Sequence, residues 1–271
     1  MINASIVTYE TDPLEVLNLI SIFDKSDSIK TIFVVDNSKK NELKNSLENV
    51  SKKVHYIHNP SNSGYGAGHN IAIKKSLSEK IDFHLVLNAD TDFDYSIIEG
   101  IEGFMIENKD IGLLSPKVLN KDGSIQYSSR LIPNPFLLFF RAFFPRKFRL
   151  KQDYNYQLKK FEYNKIFLSC YVSGCFMFFR CTKLKEIGIF DERFFMYPED
   201  LDITRRFAKS SKVIFHPDFE IIHNYEGASH KSFKMFLIHS INMIKYFNKW
   251  GWFYDPERKR LNFKISNQFD K

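Results

Sequence analysis

The chain has 271 residues, 44% of them hydrophobic and 26% charged, which excludes a disordered polymer and leaves room for one large α/β domain or two smaller ones. Its 39 Lys and Arg against 32 Asp and Glu give +7, an excess too modest to choose among a nucleotide, a nucleic acid and an anionic membrane. Three cysteines, Cys170, Cys175 and Cys181, show no zinc spacing, and their odd number argues against a disulfide scaffold, so a reducing compartment is expected. No basic segment followed by an apolar core opens the chain, and the longest interior uncharged stretch, residues 166–179, is too short for a helical span and carries Gly174. The expectation is a protein that does not cross a membrane but can lie on one.

In chain order, residues 4–9 form a strand-like run ending at Thr8, Tyr9 and Glu10. Asp12 and Pro13 read as a helix cap and first turn, with Leu14, Leu17 and Ile20 as the apolar face. A denser β-branched run, residues 31–35, ends at Asp36, Asn37 and Ser38. A helix over 41–50 and a third strand over 54–57 follow, so strand and helix alternate as in a parallel sheet with crossover helices. The third strand runs into Asn62, Ser63, Gly64, Tyr65, Gly66, Ala67 and Gly68, which fits neither the phosphate-binding P-loop nor the G-x-G-x-x-G dinucleotide fingerprint.

The fourth strand candidate is residues 85–87, inside HLVLNADTDF, and it ends in Asn88, Asp90 and Asp92. If the chain stays extended there, Asp90 and Asp92 point the same way and would need a hard divalent cation between them; the plainer reading is a hydrophilic turn. Four polar strand ends now fall at one carboxyl edge of an open parallel sheet, where ligands bind, and this favours the metal reading.

A helix over 97–108, a strand over 111–115 and a hairpin joining 117–119 with 124–127 lead to Arg130. Between 136 and 151 seven apolar aromatic and leucine positions, Phe136 to Phe144, are threaded with Arg141, Arg146, Lys147, Arg149 and Lys151. That pattern suits an anionic membrane surface, with a core helix bearing a basic end as the alternative; a nucleic acid ranks lowest because the phenylalanines are clustered instead of spaced along a groove. Residues 167–179 contain a strand rising into the site, with Cys175 as a buried filler. A second acidic focus follows: Pro198 starts a helix that puts Glu199 and Asp200 in its first turn, after Phe194, Phe195 and Tyr197, one wall of a sugar pocket. Capping chemistry alone accounts for such acids, and Arg205 or Arg206 can pair with a carboxylate. His223, with Ser229 and His230 beyond, is a further ligand position if the fold brings it to Asp92. A helix over 233–247 and the aromatic, basic end close the chain as a second membrane contact.

Taken together, SIVTYE, VVDNS, NPSNSGYGAGHNIAI, LVLNADTDF, IGLLSPKVLNKDGSIQYSSR, VSGCFMFFR, IGIFDERFFMYPEDLDITRRF and HNYEGASHKS resemble, in order, a family 2 glycosyltransferase of the rhamnosyltransferase-like branch that builds bacterial surface polysaccharides. The resemblance implies an α/β GT-A fold with a mostly parallel central sheet, a catalytic domain over 1–228 (nucleotide-binding half 1–115, acceptor half 116–228) and a helical extension over 229–271. It implies inverting transfer from a nucleotide-diphosphate sugar, with dTDP-rhamnose favoured over UDP-galactose or UDP-glucose, to a polyprenyl-diphosphate-linked saccharide for O-antigen, capsule or cell-wall polysaccharide. The protein is then cytoplasmic, held at the inner membrane face.

By the same resemblance, Thr8, Tyr9, Glu10 and Asp36 hold the base, with Glu10 standing where many relatives have Asn. Asn62, Gly64 and Gly66 lie along the nucleotide, and Asn88 and Arg130 assist at the diphosphate. Asp90 and Asp92 are the D-x-D pair, Asp92 the direct ligand of Mg²⁺ or Mn²⁺, and His223 completes the site. Asp200, with Glu199 beside it, is the general base, and Asp202 leaves an ambiguity. Two readings from other classes compete: a nucleotidyltransferase, which would incorporate the nucleotide instead of releasing a nucleoside diphosphate, and a noncatalytic nucleotide-sugar-binding protein.

Overall fold

A computed structural model describes residues 1–224 and 233–269. Its first half follows the alternation read above: β1 (Ile2–Thr8), α1 (Pro13–Asp24), β2 (Ile29–Asp36), α2 (Glu42–Leu47), β3 (Val54–His58), α3 (Tyr65–Ser78) and β4 (Phe83–Leu87). Asp12 caps α1 by accepting from the Leu14 N–H at 2.9 Å, with Pro13 in the first turn, where its missing N–H costs nothing. The strands are β-branched or aromatic because they are covered on both faces, and β4 is buried at every position.

The chain continues through β5 (Thr91–Asp92), α4 (Ser96–Glu107), β6 (Ile111–Leu119), β7 (Ile125–Gln126), α5 (Pro135–Phe143), α6 (Leu150–Tyr156), β8 (Phe167–Leu168), β9 (Phe176–Arg180), α7 (Cys181–Ile187), α8 (Glu199–Ser210) and β10 (Lys212–His223). After the undescribed residues come α9 (Phe233–Trp250) and α10 (Pro256–Ser266). The main sheet runs in the order β3-β2-β1-β4-β9-β6-β10-β5. β1, β2, β3 and β4 are mutually parallel, so Thr8, Asp36, His58 and Leu87 end at one edge. Crossover from β3 back to β4 on the far side of β1 makes a switch point between β1 and β4, the position where open α/β sheets form their ligand crevice.

β9 departs from expectation. It pairs antiparallel with β4, Leu87 opposite Phe176 and Phe83 opposite Arg180, so it carries the chain away from the polar edge instead of rising into it. The segment before β9, which contains Gly174, is what reaches the site. The hairpin is as read: Leu119 pairs with Ile125 and Val118 with Gln126.

A buried polar chain ties α3 to the sheet beneath the crevice. The Ser5 hydroxyl lies 2.7 Å from His69 Nδ1 and 2.8 Å from His84 Nε2, and Ser76 Oγ lies 2.8 Å from His84 Nδ1. Burial pushes His84 down from its ordinary 6.5 to about 3 and His69 down as well, because no water solvates the imidazolium. The unfolded chain therefore takes up these protons first as pH falls through 6.5, so stability is full above that value and declines toward 3. At pH 5.5, His84 alone is expected to cost about 1.4 kcal/mol relative to pH 7.5, since one pH unit below the unfolded value is worth about that much. Denaturant midpoints of wild type and His84→Gln at both pH values check this: the variant's loss on acidification should be smaller, and parallel losses would contradict it.

The C-terminal helices dock on α8 through buried charge. Arg205 makes a two-pronged pair with Asp255 at 2.6 and 2.8 Å and stacks 4.0 Å from the Trp250 ring centroid. Asp202 accepts from Arg206 Nε at 2.9 Å, Lys249 Nζ at 2.6 Å and Trp250 Nε1 at 2.7 Å. Both arginines thus find carboxylates, and Asp202 is spent on holding α9 in place. The boundary read between residues 228 and 229, with Ser229 and His230, lies outside the described residues.

Candidate active site

At the end of β4 the chain turns at Ala89 and Asp90 before entering β5, with Thr91 Oγ1 donating to the Asn88 carbonyl at 2.9 Å. The extended continuation that would have aligned Asp90 with Asp92 does not form. β5 instead pairs antiparallel with the end of β10, Asp92 opposite Ile222 and Thr91 opposite His223. Paired residues share a face and neighbours alternate, so Thr91 and His223 are buried while Asp92 and Ile222 face outward and are exposed. His223 therefore meets Asp90 and not Asp92: its Nε2 lies 3.3 Å from Asp90 Oδ1 and 3.1 Å from Asn88 Nδ2. Burial opposes the charge on Asp90, but His223 and Asn88 outweigh it and hold the carboxyl below its usual range.

Tyr65, which the sequence reading passed over, connects this cluster to the second acidic focus. Its hydroxyl lies 2.9 Å from Asn88 Oδ1 and 2.8 Å from the Gly174 carbonyl, either of which can take its one proton. Gly174 in turn donates its N–H to Asp200 Oδ2 at 3.2 Å, and Asp200 Oδ1 accepts from the Leu201 N–H at 2.7 Å. Burial, followed by the acidic groups Cys175, Glu199, Asp200 and Asp90, raises the Tyr65 hydroxyl well above its ordinary range, so both carboxylate centres act on this one ring. Burial also raises Asp200, and it lifts Glu199, with Asp200 next in effect, to about 8. Glu199 Oε2 is buried without a hydrogen-bond partner, consistent with a neutral acid.

Arg130 is half-buried on the Asp200 side. Burial works against its charge, but Tyr171, Tyr156 and Asp200 keep it firmly protonated; its Nε donates to the Tyr127 carbonyl at 3.2 Å. It is neither a surface ion pair nor a partner of Asp90. Phe194 lies in the core, leaving Phe195 and Tyr197 half-buried beside the helix start.

The glycine loop serves the protein itself. Gly64 starts α3 at φ +98°, and a Cβ there would lie 2.1 Å from the Phe195 carbonyl oxygen; one on Gly66 would lie 3.0 Å from Phe190 Cβ and 3.3 Å from Glu199 Cβ. The segment leading into α8 stands against these two positions, read above as lining the nucleotide, and the close approach is what brings Tyr65 toward Asp200. Asn62, at φ +45°, stays half-buried outside that contact.

At the other wall of the crevice, Asp36 is buried and accepts from Tyr56 at 2.7 Å, the Ser38 N–H at 2.9 Å and Thr8 at 3.3 Å. Glu10 donates its N–H to Ser38 Oγ at 2.7 Å, and the Tyr9 and Glu10 side chains are exposed. Thr8 and Asp36 thus shape the loop, and Tyr9 and Glu10 are the groups it presents to solvent.

Residues 6–188, more than half of the chain, match the family described as glycosyl transferase family 2. The chain belongs to that family. Among curated proteins, this family 2 glycosyltransferase is 26% identical over 202 residues to the low-salt glycan biosynthesis hexosyltransferase Agl10 of Haloferax volcanii, covering 74% of this chain and 59% of Agl10. It is 24% identical over 256 residues to the N-acetylglucosaminyl-diphospho-decaprenol L-rhamnosyltransferase of Mycobacterium tuberculosis, covering 85% of this chain and 82% of that one. Its fold is that of GT-A enzymes. The mannosyltransferase PcManGT of Pyrobaculum calidifontis, in complex with GDP-Man and Mn²⁺, superposes with a TM-score of 0.63 at 12% identity, over 98% of this chain and 69% of that one. GalNAc-T7 with UDP, GalNAc and Mn²⁺ gives 0.59 at 14% identity, over 83% and 44%.

Among the described residues no group of three or more His, Cys, Asp and Glu gathers as a closed metal site. The donor set nonetheless fits a hard cation shared with a substrate. Asp90 and His223, 3.3 Å apart, are held together by a shared proton, and a divalent cation can take that proton's place: Mg²⁺ commonly takes one or two carboxylates with the remaining ligands from phosphate and water.

Proposed function

We propose that this family 2 glycosyltransferase transfers a sugar from a nucleoside diphosphate donor to a hydroxyl of a lipid-linked saccharide, with inversion at the anomeric carbon. The observation that carries the proposal is the placement of Asp90, His223 and Asn88 on one side of Tyr65 and of Asp200 on the other. The nucleotide would enter the crevice between β1 and β4, with Tyr9, Glu10 and the Asp36 loop at its base and its diphosphate toward Asp90 and His223. Those two residues would hold Mg²⁺ or Mn²⁺, which supplies neutralising charge for the departing diphosphate. Asp200 takes the proton of the acceptor hydroxyl as its oxygen bonds to the anomeric carbon. The bond from that carbon to the phosphate oxygen breaks, and its electron pair leaves with the diphosphate. A base raised by burial holds protons more tightly, which suits it to this transfer near neutral pH.

The likeness to the decaprenol-linked rhamnosyltransferase supports dTDP-rhamnose as donor and a polyprenyl-diphosphate saccharide as acceptor. Incubation with Mg²⁺ or Mn²⁺ and a panel of nucleotide sugars tests this: slow release of dTDP from dTDP-rhamnose is expected. Selection of another sugar nucleotide would overturn the donor, and incorporation of nucleotide into product would overturn sugar transfer altogether.

The exposed aromatic elements support docking at the inner face of an anionic membrane. α5 has no buried residue and presents Phe136 and Phe143 at 74% and 65% exposure, beside Arg141 and ahead of Lys147 and Arg149; α9 exposes Phe233, Leu237 and Ile241. Leu138 alone of α5 packs against a core cluster, so the helix rests on the protein by one side and leaves Phe136 and Phe143 outward. Among the described residues no helix is long and apolar enough to cross a membrane. Sedimentation should show binding to anionic vesicles that weakens with salt. Equal binding to neutral vesicles would remove the electrostatic part.

A further inference from the structure

We infer that Gln126 is a positioning residue that sets the tautomer of His223 and so aims its Nε2 lone pair at the Asp90 and Asn88 side of the site. The inference deepens the sugar-transfer reading and rests on it for its purpose, though not for its geometry. Gln126 stands on β7, opposite Val118 of β6, and Val118 also pairs with Ile221 of β10, two residues before His223. The hairpin therefore brings this amide alongside the histidine from the side away from Asp90.

The orientation of the amide follows from its partners. Gln126 Nε2 donates to Asn120 Oδ1 at 2.8 Å and to the His223 carbonyl at 3.0 Å, two groups that can only accept in this arrangement. Both amide hydrogens are thereby committed. Its Oε1 lies 2.8 Å from His223 Nδ1, and an amide oxygen can only accept, so Nδ1 carries the hydrogen. In the neutral ring this leaves Nε2 bare, accepting from Asn88 Nδ2 at 3.1 Å and facing Asp90 Oδ1 at 3.3 Å across a gap that a shared proton or a cation bridges; the proton is what holds Asp90 low when no metal is bound. A histidine used as a ligand commonly donates its other N–H to a carbonyl-type oxygen, and loss of such a partner typically weakens metal binding by about 10–100-fold. Asn120 belongs to the same arrangement: as the first residue of the turn, it bonds Ser124 through both its N–H and its side chain and so presents Oδ1 to Gln126.

The test uses protein labelled with ¹⁵N at histidine, in which long-range ¹H–¹⁵N correlations distinguish the two tautomers, with His223→Gln to assign the signal. Wild type should show His223 protonated at Nδ1. Gln126→Leu should shift it toward the Nε2–H form and lower apparent Mn²⁺ affinity, measured with inorganic pyrophosphate present, by about 10–100-fold. Gln126→Glu, which keeps an accepting oxygen for Nδ1 but sets its second oxygen against the His223 carbonyl and Asn120 Oδ1, should restore the Nδ1–H ring and only part of the affinity. An Nε2–H ring in wild type, or an unchanged tautomer in a folded Gln126→Leu, overturns the inference. A wild type with the Nδ1–H ring and no Mn²⁺ uptake supports the role of Gln126 while defeating the metal-assisted reading, so the two failures are separable.

Discussion

Asp200→Asn should lower turnover about 10²–10⁴-fold, the range over which a positioned base accelerates a proton transfer, while leaving donor affinity within about twofold of wild type. The separation follows from where Asp200 sits. Among the described residues its hydrogen bonds lead to the donor cluster through Gly174 and Tyr65, and no hydrogen bond joins it directly to Asp90. An asparagine keeps the oxygen that accepts from the Leu201 N–H but turns an amide NH₂ toward the Gly174 N–H, a donor against a donor. Removal of a buried charge offsets that loss, so the fold should survive, and a thermal denaturation curve controls for it. The pH profile adds a second signature. Wild-type activity should climb with pH as the raised Asp200 carboxyl loses its proton, whereas the residual activity of the variant should lack that limb. Near-wild-type turnover on the true acceptor would remove Asp200 from the mechanism.

The second large effect separates two carboxylates that the sequence presents as equals. Asp90→Asn should weaken metal-dependent donor binding by at least about 100-fold, the upper end of what losing a supporting group around a ligand costs, because it removes the charge facing His223. Asp92→Asn should change it by no more than about two- to threefold, since Asp92 faces solvent on the other side of the β5–β10 ribbon. Equal losses in both variants would contradict the assignment of Asp90 over Asp92.

The contrast between these two residues shows where sequence reasoning carries and where it stops. The β-branched runs of β1 and β2 and the apolar run of β4 were legible because each is largely buried and bounded by polar residues, half-buried β3 by its place in the alternation, and the shared carboxyl edge followed from it. Asp90 stood out past the end of β4, Asp200 in the first turn of a helix and His223 at the end of a later strand, each as a candidate. Which of Asp90 and Asp92 faces the histidine was not legible. A period-of-two argument holds only while backbone stays extended, and Thr91 bonding back to Asn88 ends that extension. The direction of β9 was hidden for a related reason: an apolar run such as Phe176 to Phe179 reads the same whichever way it runs.

The glycine loop and Gln126 escaped for a different reason, that their partners are distant in sequence. Gly64 is demanded by Phe195 and Gly66 by Phe190 and Glu199, contacts that no local pattern announces. Gln126 could have been found by following the hairpin: NKDGS marks the turn, and the strand after it lies beside β6, next to whatever strand ends at His223. Arg205 was legible as a partner for a carboxylate but Asp255 was not, and their buried pairing holds the C-terminal helices against the helix that starts at Glu199 and so makes the extension part of the frame around Asp200.

The account stands most directly on one titration. Mn²⁺ uptake, followed by electron paramagnetic resonance in the presence of the nucleoside diphosphate released in the donor panel, is measured for wild type, Asp90→Asn, Asp92→Asn and Asp200→Asn. The account predicts that only Asp90→Asn loses uptake. Uptake that survives in Asp90→Asn, or that vanishes in Asp92→Asn or Asp200→Asn, would contradict it.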